Sequence, residues 1–177
     1  SIDMETALDP TCDVIVAYEQ NGARLHPDHG FPVRVVIPGY IGGRMIKFLT
    51  EIKVTDRESN NFYHFNDNRV LPPPVDAERA TEEGWWFKPE FIINQLNING
   101  AIAYPAPEEI IPKSKKTYEF RGYAYSGGGR KVIRAELSFD QGLSWQLADI
   151  NVREQPRWAD FGSGDKARHW CWCHWSM

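Results

Sequence analysis

Residues 29 to 47 read HGFPVRVVIPGYIGGRMIK, and they place charge where charge is costly. Pro32 fixes the backbone ahead of Val33, Arg34, Val35, Val36 and Ile37, a β-branched run of the kind that forms a buried strand. Arg34 therefore stands inside an apolar segment. An unpaired buried charge costs several kcal/mol, and no carboxylate follows in the chain until Glu51, so the expected partner of Arg34 is an anion. After Pro38 and Gly39 come Tyr40, Ile41 and the pair Gly42, Gly43, which allows close backbone approach and presents N–H groups. Together with the glycine pair, His29, Arg34, Arg44 and Lys47 suit a cradle for a phosphate or a phosphorylated cofactor, arginine giving two-pronged contacts and lysine a point charge. The competing expectation is a strand end whose basic side chains snorkel to water. The pattern is neither a Walker loop nor a dinucleotide fingerprint.

Outward from this stretch, composition narrows the class. A chain of 177 residues that is 42% hydrophobic and 13% aromatic can bury a sizeable core, and it reads as soluble and globular. It has no apolar run long enough to span a bilayer and no secretory signal series at its start. A net charge of -4 argues against general nucleic-acid binding, which shows a basic face. Cys12, Cys171 and Cys173 are odd in number and fit a reducing compartment better than a disulfide framework. A first residue other than methionine, and an end within an aromatic strand at Trp175, suggest a segment of a longer protein.

Upstream, residues 1–11 give weak signals, and Val14–Gln20 is strand or helix, since short apolar runs do not decide. Asn21-Gly22 is a strong turn. Downstream, Phe48–Val54 alternates loosely and is expected to be a strand. Residues 56–90 are polar, aromatic and rich in turn formers; Pro72, Pro73 and Pro74 make an extended connector, either functional or a packed surface loop. From Ile92 onward the pattern is all-β. Tyr118–Tyr125 and Val132–Phe139 flank Ser126-Gly127-Gly128-Gly129 as an expected hairpin, with Ile133, Ala135, Leu137 and Phe139 on one buried face. Trp145–Val152 and His169–Ser176 are further expected strands, with a loop over Pro156–Lys166. Short strands with regular turns indicate an immunoglobulin-like sandwich.

Some motifs are misleading. Ser138, Asp140, Gly142 and Trp145 satisfy S-x-D-x-G-x-x-W, which as a single copy is a turn device, with Asp140 bonding the turn backbone and Trp145 packing over it. In Trp170–His174, Cys171 and Cys173 share one strand face while His174 lies on the other, so they do not chelate jointly without a bulge. The pairs Glu82, Glu83 and Glu108, Glu109 are adjacent in sequence and read as solvated, and no nucleophile, base and orienter come together.

The long motifs AYEQNG (17–22), DHGFPVRVVIPGYIGGRMIK (28–47), NFYHFNDNRVLP (61–72), EEGWWFKPEFIINQLNIN (82–99), GYAYSGGGRKV (122–132) and WCWCHWS (170–176) occur in one order. With them the chain closely resembles the eukaryotic assimilatory nitrate reductases, with a fungal leaning, and more broadly the sulfite oxidase family of molybdenum enzymes. The resemblance implies the α+β end of a molybdopterin domain over residues 1–52 and a connector over 53–91. Residues 92–177 would be a truncated immunoglobulin-like dimerisation domain. It also implies that His29, Arg34 and Lys47, with the backbone at Met45 and Ile46, hold the terminal phosphate of molybdopterin. Asn68 aligns with the residue that lines the substrate pocket, a tyrosine in sulfite oxidases and an asparagine in nitrate reductases. An amide donates to a nitrate oxygen without bringing a proton-exchanging phenol, so Asn68 favours nitrate over sulfite.

The implied activity of the whole enzyme is reduction of nitrate to nitrite with electrons from NAD(P)H, delivered through haem and FAD that lie outside this segment. The setting is a cytoplasmic homodimer with no nucleic acid and no membrane. None of Cys12, Cys171 or Cys173 matches the family's molybdenum ligand, which lies upstream of this chain, so the fragment alone is expected to be inactive. The alternatives are a sulfite oxidase-type enzyme and, in isolation, a dimerisation module without chemistry.

Overall fold

The computed structural model describes residues 1–151, 168, 169 and 172–177. The expected loop Pro156–Lys166, together with Trp170 and Cys171, lies outside the described residues. The chain forms two units, Ser1–Leu96 and Asn97–Met177.

The first unit is α+β. Helix α1 (Met4–Leu8) starts where the Asp3 side chain accepts a hydrogen bond from the Thr6 amide. The open choice over residues 14–20 resolves as strands β1 (Ile15–Ala17) and β2 (Glu19–Gln20). Asn21-Gly22, with φ of 53° and 78°, then turns the chain into β3 (Ala23–Arg24), which pairs antiparallel with β2. Strand β4 (Arg34–Val36) lies antiparallel on β1, with Arg34 opposite Ala17. On its other side the Val35 amide donates to the Ile46 carbonyl at 2.9 Å and the Leu49 amide to that of Val33 at 3.0 Å.

Two expectations are corrected here. The strand expected over Phe48–Val54 does not form: Phe48 has φ of 57°, which breaks the extended path, and residues 50–60 are exposed, so no face is buried to hold a strand in place. The run around Arg34 is half-buried rather than buried, and its anchor is Ile37, 2% exposed and buried as Leu25 and Tyr40 are.

Beyond Ile37, Gly39 at φ of 77° directs the chain onto residues 94–96: Ile41 donates to Asn94 and Leu96 to Gly39. The proline-rich region is more ordered than its composition suggested. It contains α2 (Phe62–Asn66), capped by the Asn61 side chain, and α3 (Ala77–Glu82), capped by Asp76, with Ala80 buried.

The second unit is all-β. Strands β5 (Asn99–Tyr104), β6 (Arg121–Tyr125), β9 (Asp149–Asn151) and β10 (Cys173–Ser176) form one sheet in the order β5-β6-β10-β9, and β7 (Glu136–Leu137) pairs with β8 (Gln146–Leu147) as a separate ribbon. A sheet facing a ribbon across Val132, Leu137, Ala148, Ala124, Cys173 and Trp175 fits an immunoglobulin-like sandwich. The expected hairpin between Tyr118–Tyr125 and Val132–Phe139 is replaced by other pairings. Both edges of β6 are already occupied, by β5 and β10, and the positive φ of Gly128 and Gly129 leads the chain away from β6. The expected buried face is only partly realised. Leu137 is buried, but Ile133 and Phe139 are 84% and 54% exposed, because only Glu136–Leu137 is extended and paired.

The turn joining β7 to β8 behaves as its motif implies. Asp140 accepts from the Ser144 amide at 2.8 Å and from its hydroxyl, while Ser138 donates to Asp140 and accepts from the Gly142 amide. These bonds from Ser144 and Ser138 hold the Asp140 carboxyl down at about 2, below its ordinary 3.8. A group depressed on folding stabilises the fold above its unfolded pKa and loses that contribution as pH falls through the folded value. In the full-length protein, the wild type is therefore expected to exceed Asp140→Asn in denaturant midpoint above about pH 4. The gap should narrow progressively toward pH 2; a gap constant from pH 5 to pH 2 would show that the charge of Asp140 is not what holds the turn.

Candidate cofactor and substrate site

The elements around β4 gather the predicted cofactor residues. Pro27 opens a short 3-10 turn, Pro27–His29, capped by the His26 ring nitrogen, and Gly30 closes it at φ of 111°. A Cβ at Gly30 would lie 3.0 Å from Lys47 Cβ and 3.2 Å from Arg34 Cβ, so glycine is what lets the two cationic side chains start side by side. Arg34 donates through Nη1 to the His29 carbonyl at 3.0 Å and through Nη2 to the Met45 carbonyl at 3.5 Å. Lys47 Nζ donates to the Asp28 carbonyl at 2.8 Å. Arg34 and Lys47 thus start side by side, with the His29 and Met45 carbonyls held by Arg34, while the Ile46 carbonyl is taken by the Val35 amide and the His29 ring lies against that of His26.

Two features of this place bear on its chemistry. Arg34 makes no ion pair with a carboxylate among the described residues, and Glu51, the nearest one downstream, is taken by Lys53 at 3.0 Å. Arg34 Nε is also buried with no hydrogen-bond partner among the described residues. A buried donor left unmade costs about 1–3 kcal/mol, so an acceptor arriving here would recover that cost.

Arg44, grouped with these cations by spacing, turns elsewhere. It is 5% exposed, donating through Nε and Nη2 to the Ile93 carbonyl at 3.1 and 3.0 Å and through Nη1 to His64 Nδ1 at 2.9 Å. His64 Nε2 meets Glu58 at 2.9 Å. Burial lowers the pKa of Arg44, with the neighbouring charge of Arg69 adding to it, and the hydrogen bond from His64 holds the Glu58 carboxyl below its usual range. Arg69, 8% exposed, donates to the carbonyls of His64, Asn68 and Trp86 and lies over the Phe65 ring.

Asn68 sits against the Gly42–Arg44 turn. A Cβ at Gly43 would come within 2.6 Å of Asn68 Oδ1, so the missing side chain of Gly43 is the space that Asn68 occupies. The Asn68 amide donates to the Tyr63 carbonyl, and its own carbonyl accepts from Ile93. One short segment, residues 42–47, therefore serves both the cationic frame and Asn68. The roles of His64 and Glu58 escaped sequence reading, because their partners lie between 6 and 20 residues away with no periodic pattern to betray them.

Compared with known proteins, residues 1–63 match the oxidoreductase molybdopterin binding domain family and residues 90–177 the Mo-co oxidoreductase dimerisation domain family. The chain carries a molybdopterin-binding domain and a Mo-co oxidoreductase dimerisation domain. Among curated relatives, the chain is 57% identical over 178 residues to "Nitrate reductase [NADH]" of Volvox carteri, covering all of this chain and 20% of that protein. It is 55% identical over 181 residues to "Nitrate reductase [NADH] 2" of Arabidopsis thaliana, again over all of this chain and 19% of the relative. The chain thus spans about a fifth of the length of the curated relatives it matches. The fungal leaning finds no support among these. The fold is similar to that of the sulfane dehydrogenase SoxCD from Paracoccus pantotrophus, with a TM-score of 0.72 at 23% identity over 99% of this chain and 38% of that one.

The described residues of the remaining motifs are bound locally. Cys173 is buried, its thiol donating to the Ala124 carbonyl, and burial pushes the thiol pKa up, while the adjacent His174 is exposed. Glu83 is bound by Arg79 at 2.7 Å and Trp85 Nε1 at 2.8 Å, and Glu109 by the Tyr118 hydroxyl and the Ala106 amide. No helix among the described residues is long and apolar enough to cross a membrane.

Proposed function

We propose that this chain is part of an enzyme that reduces nitrate to nitrite, and that it supplies the phosphate end of the molybdopterin site, one substrate-facing residue and a homodimer interface. The observation that carries the proposal is the buried, unpartnered Nε of Arg34 between His29 and Lys47. The guanidinium of Arg34 and the ammonium of Lys47 start beside a glycine that admits close approach, with His29 the residue before it, and these are donors of the kind a terminal phosphate takes. The residues present therefore fit the group, with the main chain at Met45 and Ile46 beside it. When bound, the molybdenum cofactor supplies a two-electron oxygen transfer.

The chain's own residues bind and orient. Arg34, Lys47 and His29 fix the phosphate end of the cofactor and so the position of its reacting end, and their positive charge draws an anionic substrate. Asn68 presents an amide that donates to a nitrate oxygen and cannot itself exchange a proton with it. The names of the relatives in Volvox carteri and Arabidopsis thaliana support nitrate as the substrate and NADH as the source of electrons. In the whole enzyme those electrons pass through haem and FAD outside this segment, in a cytoplasmic setting. Residues 1–52 are the end of the molybdopterin domain, 53–91 the connector that carries Asn68, and 92–177 the domain through which two copies pair, in keeping with the dimerisation family matched from residue 90.

Asn68→Tyr in the full-length enzyme tests the substrate assignment. Nitrate kcat/KM is expected to fall more than about tenfold, close to 1.4 kcal/mol of transition-state stabilisation, with sulfite turnover measured alongside. Unchanged nitrate reduction would make Asn68 a loop residue only, and sulfite turnover by the wild type in place of nitrate reduction would overturn the proposal.

A further inference from the structure

Arg44, His64 and Arg69 are the buried charged or polar residues among those described, at 5%, 4% and 8% exposure, and the proposed reaction leaves them without a task. Their hydrogen bonds converge on Asn68. Arginine only donates, so His64 Nδ1 must accept from Arg44 Nη1 at 2.9 Å, which leaves the ring hydrogen on Nε2, directed at Glu58 at 2.9 Å. Both ring nitrogens are thereby committed, and the orientation of the imidazole is fixed from both sides. The rest of the Arg44 guanidinium grips the Ile93 carbonyl, and the Ile93 amide donates in turn to the Asn68 carbonyl at 3.2 Å. Asn68 is bounded on its other side by Gly43, the residue next to Arg44, and its carbonyl also accepts from Arg69, which ties back to the His64 carbonyl.

We infer that Glu58 and His64 are positioning residues for the reaction: acting through Arg44, they set where the Asn68 amide stands over the substrate. The inference rests on the assignment of Asn68 to the substrate pocket. Removing the imidazole acceptor leaves a buried Arg44 N–H unmade, and the guanidinium must turn to find another acceptor. Its turning moves the Gly42–Arg44 backbone and the main chain at Ile93, the two surfaces that confine Asn68. A glutamine at position 64 can reproduce both bonds, since its amide oxygen accepts from Arg44 and its amide nitrogen donates to Glu58. A leucine reproduces neither.

The test is a double-mutant cycle on nitrate kinetics in the full-length holoenzyme, with rates normalised to molybdenum content. His64→Leu is expected to lower nitrate kcat/KM about tenfold, with His64→Gln staying within about threefold of wild type. In an Asn68→Ala background, His64→Leu is expected to change kcat/KM by less than about twofold, because coupled residues are not additive. A full tenfold loss in that background, or a glutamine as poor as leucine, would overturn the inference. If His64→Leu does not accumulate as folded protein, Glu58→Ala replaces it. Glu58 is more than half exposed, and its loss releases one end of the ring without emptying a buried site. It should lower kcat/KM at least about threefold with Asn68 present and not with alanine there, and no loss with Asn68 present would sink the idea. Wild-type turnover judges the proposed function separately: if the parent oxidises sulfite instead of reducing nitrate, the nitrate proposal fails, and the same cycle run on sulfite still decides whether His64 acts through residue 68.

Discussion

Gly122→Ala is expected to disrupt the sheet of the second unit. Gly122 is buried in β6, the strand with a partner on each side, and sits opposite Trp175 in the β6–β10 register. Any Cβ there would fall inside the contact radius of Trp175 Cζ2 and Cε2 and of the Ala101 carbonyl oxygen. Neither obstacle can yield cheaply. Ala101 is backbone in the β5–β6 ladder, and the indole of Trp175, 6% exposed, is fixed by its Nε1 donating to the Tyr123 carbonyl at 3.2 Å. The indole has nowhere to retreat, because Ala124, Leu137, Ala148 and Cys173 pack with it as the core. Overpacking costs of about 1–3 kcal/mol arise where neighbours can shift, and a clash with both a backbone carbonyl and a core tryptophan lies at or above the upper end. In the full-length protein the transition assigned to this unit should fall by roughly 10 °C or more. A change of less than about 2 °C would mean that Trp175 does not occupy the face of Gly122.

Arg34→Met should separate stability from cofactor retention. The side chain of Arg34 is committed at two of its nitrogens to the carbonyls of His29 and Met45, while Nε is buried and unmatched. Replacing a half-buried, incompletely paired cation with an apolar chain of similar length is often neutral or stabilising, so the cofactor-free protein is not expected to melt lower. Cofactor retention should behave in the opposite way. Loss of a charge-assisted, two-pronged phosphate contact is expected to reduce molybdenum content at least about tenfold at limiting cofactor, read by metal analysis and by the pterin released on denaturation. Full molybdenum content together with a lowered melting temperature would make Arg34 a structural residue and remove the cradle from the proposed function.

How far the sequence could be read differs between the two units. The Asn21-Gly22 turn and the Ser138–Trp145 turn are legible because turn chemistry is local: Asn21 and Gly22 take up positive φ, and Ser138 and Asp140 bond within four residues. The strand expected over Phe48–Val54 and the hairpin expected across Ser126–Gly129 misled, because alternation tells which residues are suited to a strand and not whether an edge is free to receive it. β6 had both edges filled by β5 and by β10, the latter about fifty residues later in the chain. Ile133 shows the same limit, being apolar, in phase and yet 84% exposed.

Residue order alone puts a cation in the apolar run before the Gly42-Gly43 pair, leaves its charge without a nearby carboxylate, and builds the second half of the chain from short strands. These follow from residue type and near neighbours. That Arg44 leaves the cations for His64 and Ile93 while Arg34 and Lys47 stay beside Gly30 comes from the fold. Both groups lie within one short basic stretch, and spacing cannot separate them. What separates them is which carbonyls and ring nitrogens the folded chain brings within hydrogen-bond reach, since a buried guanidinium settles where its donors are met.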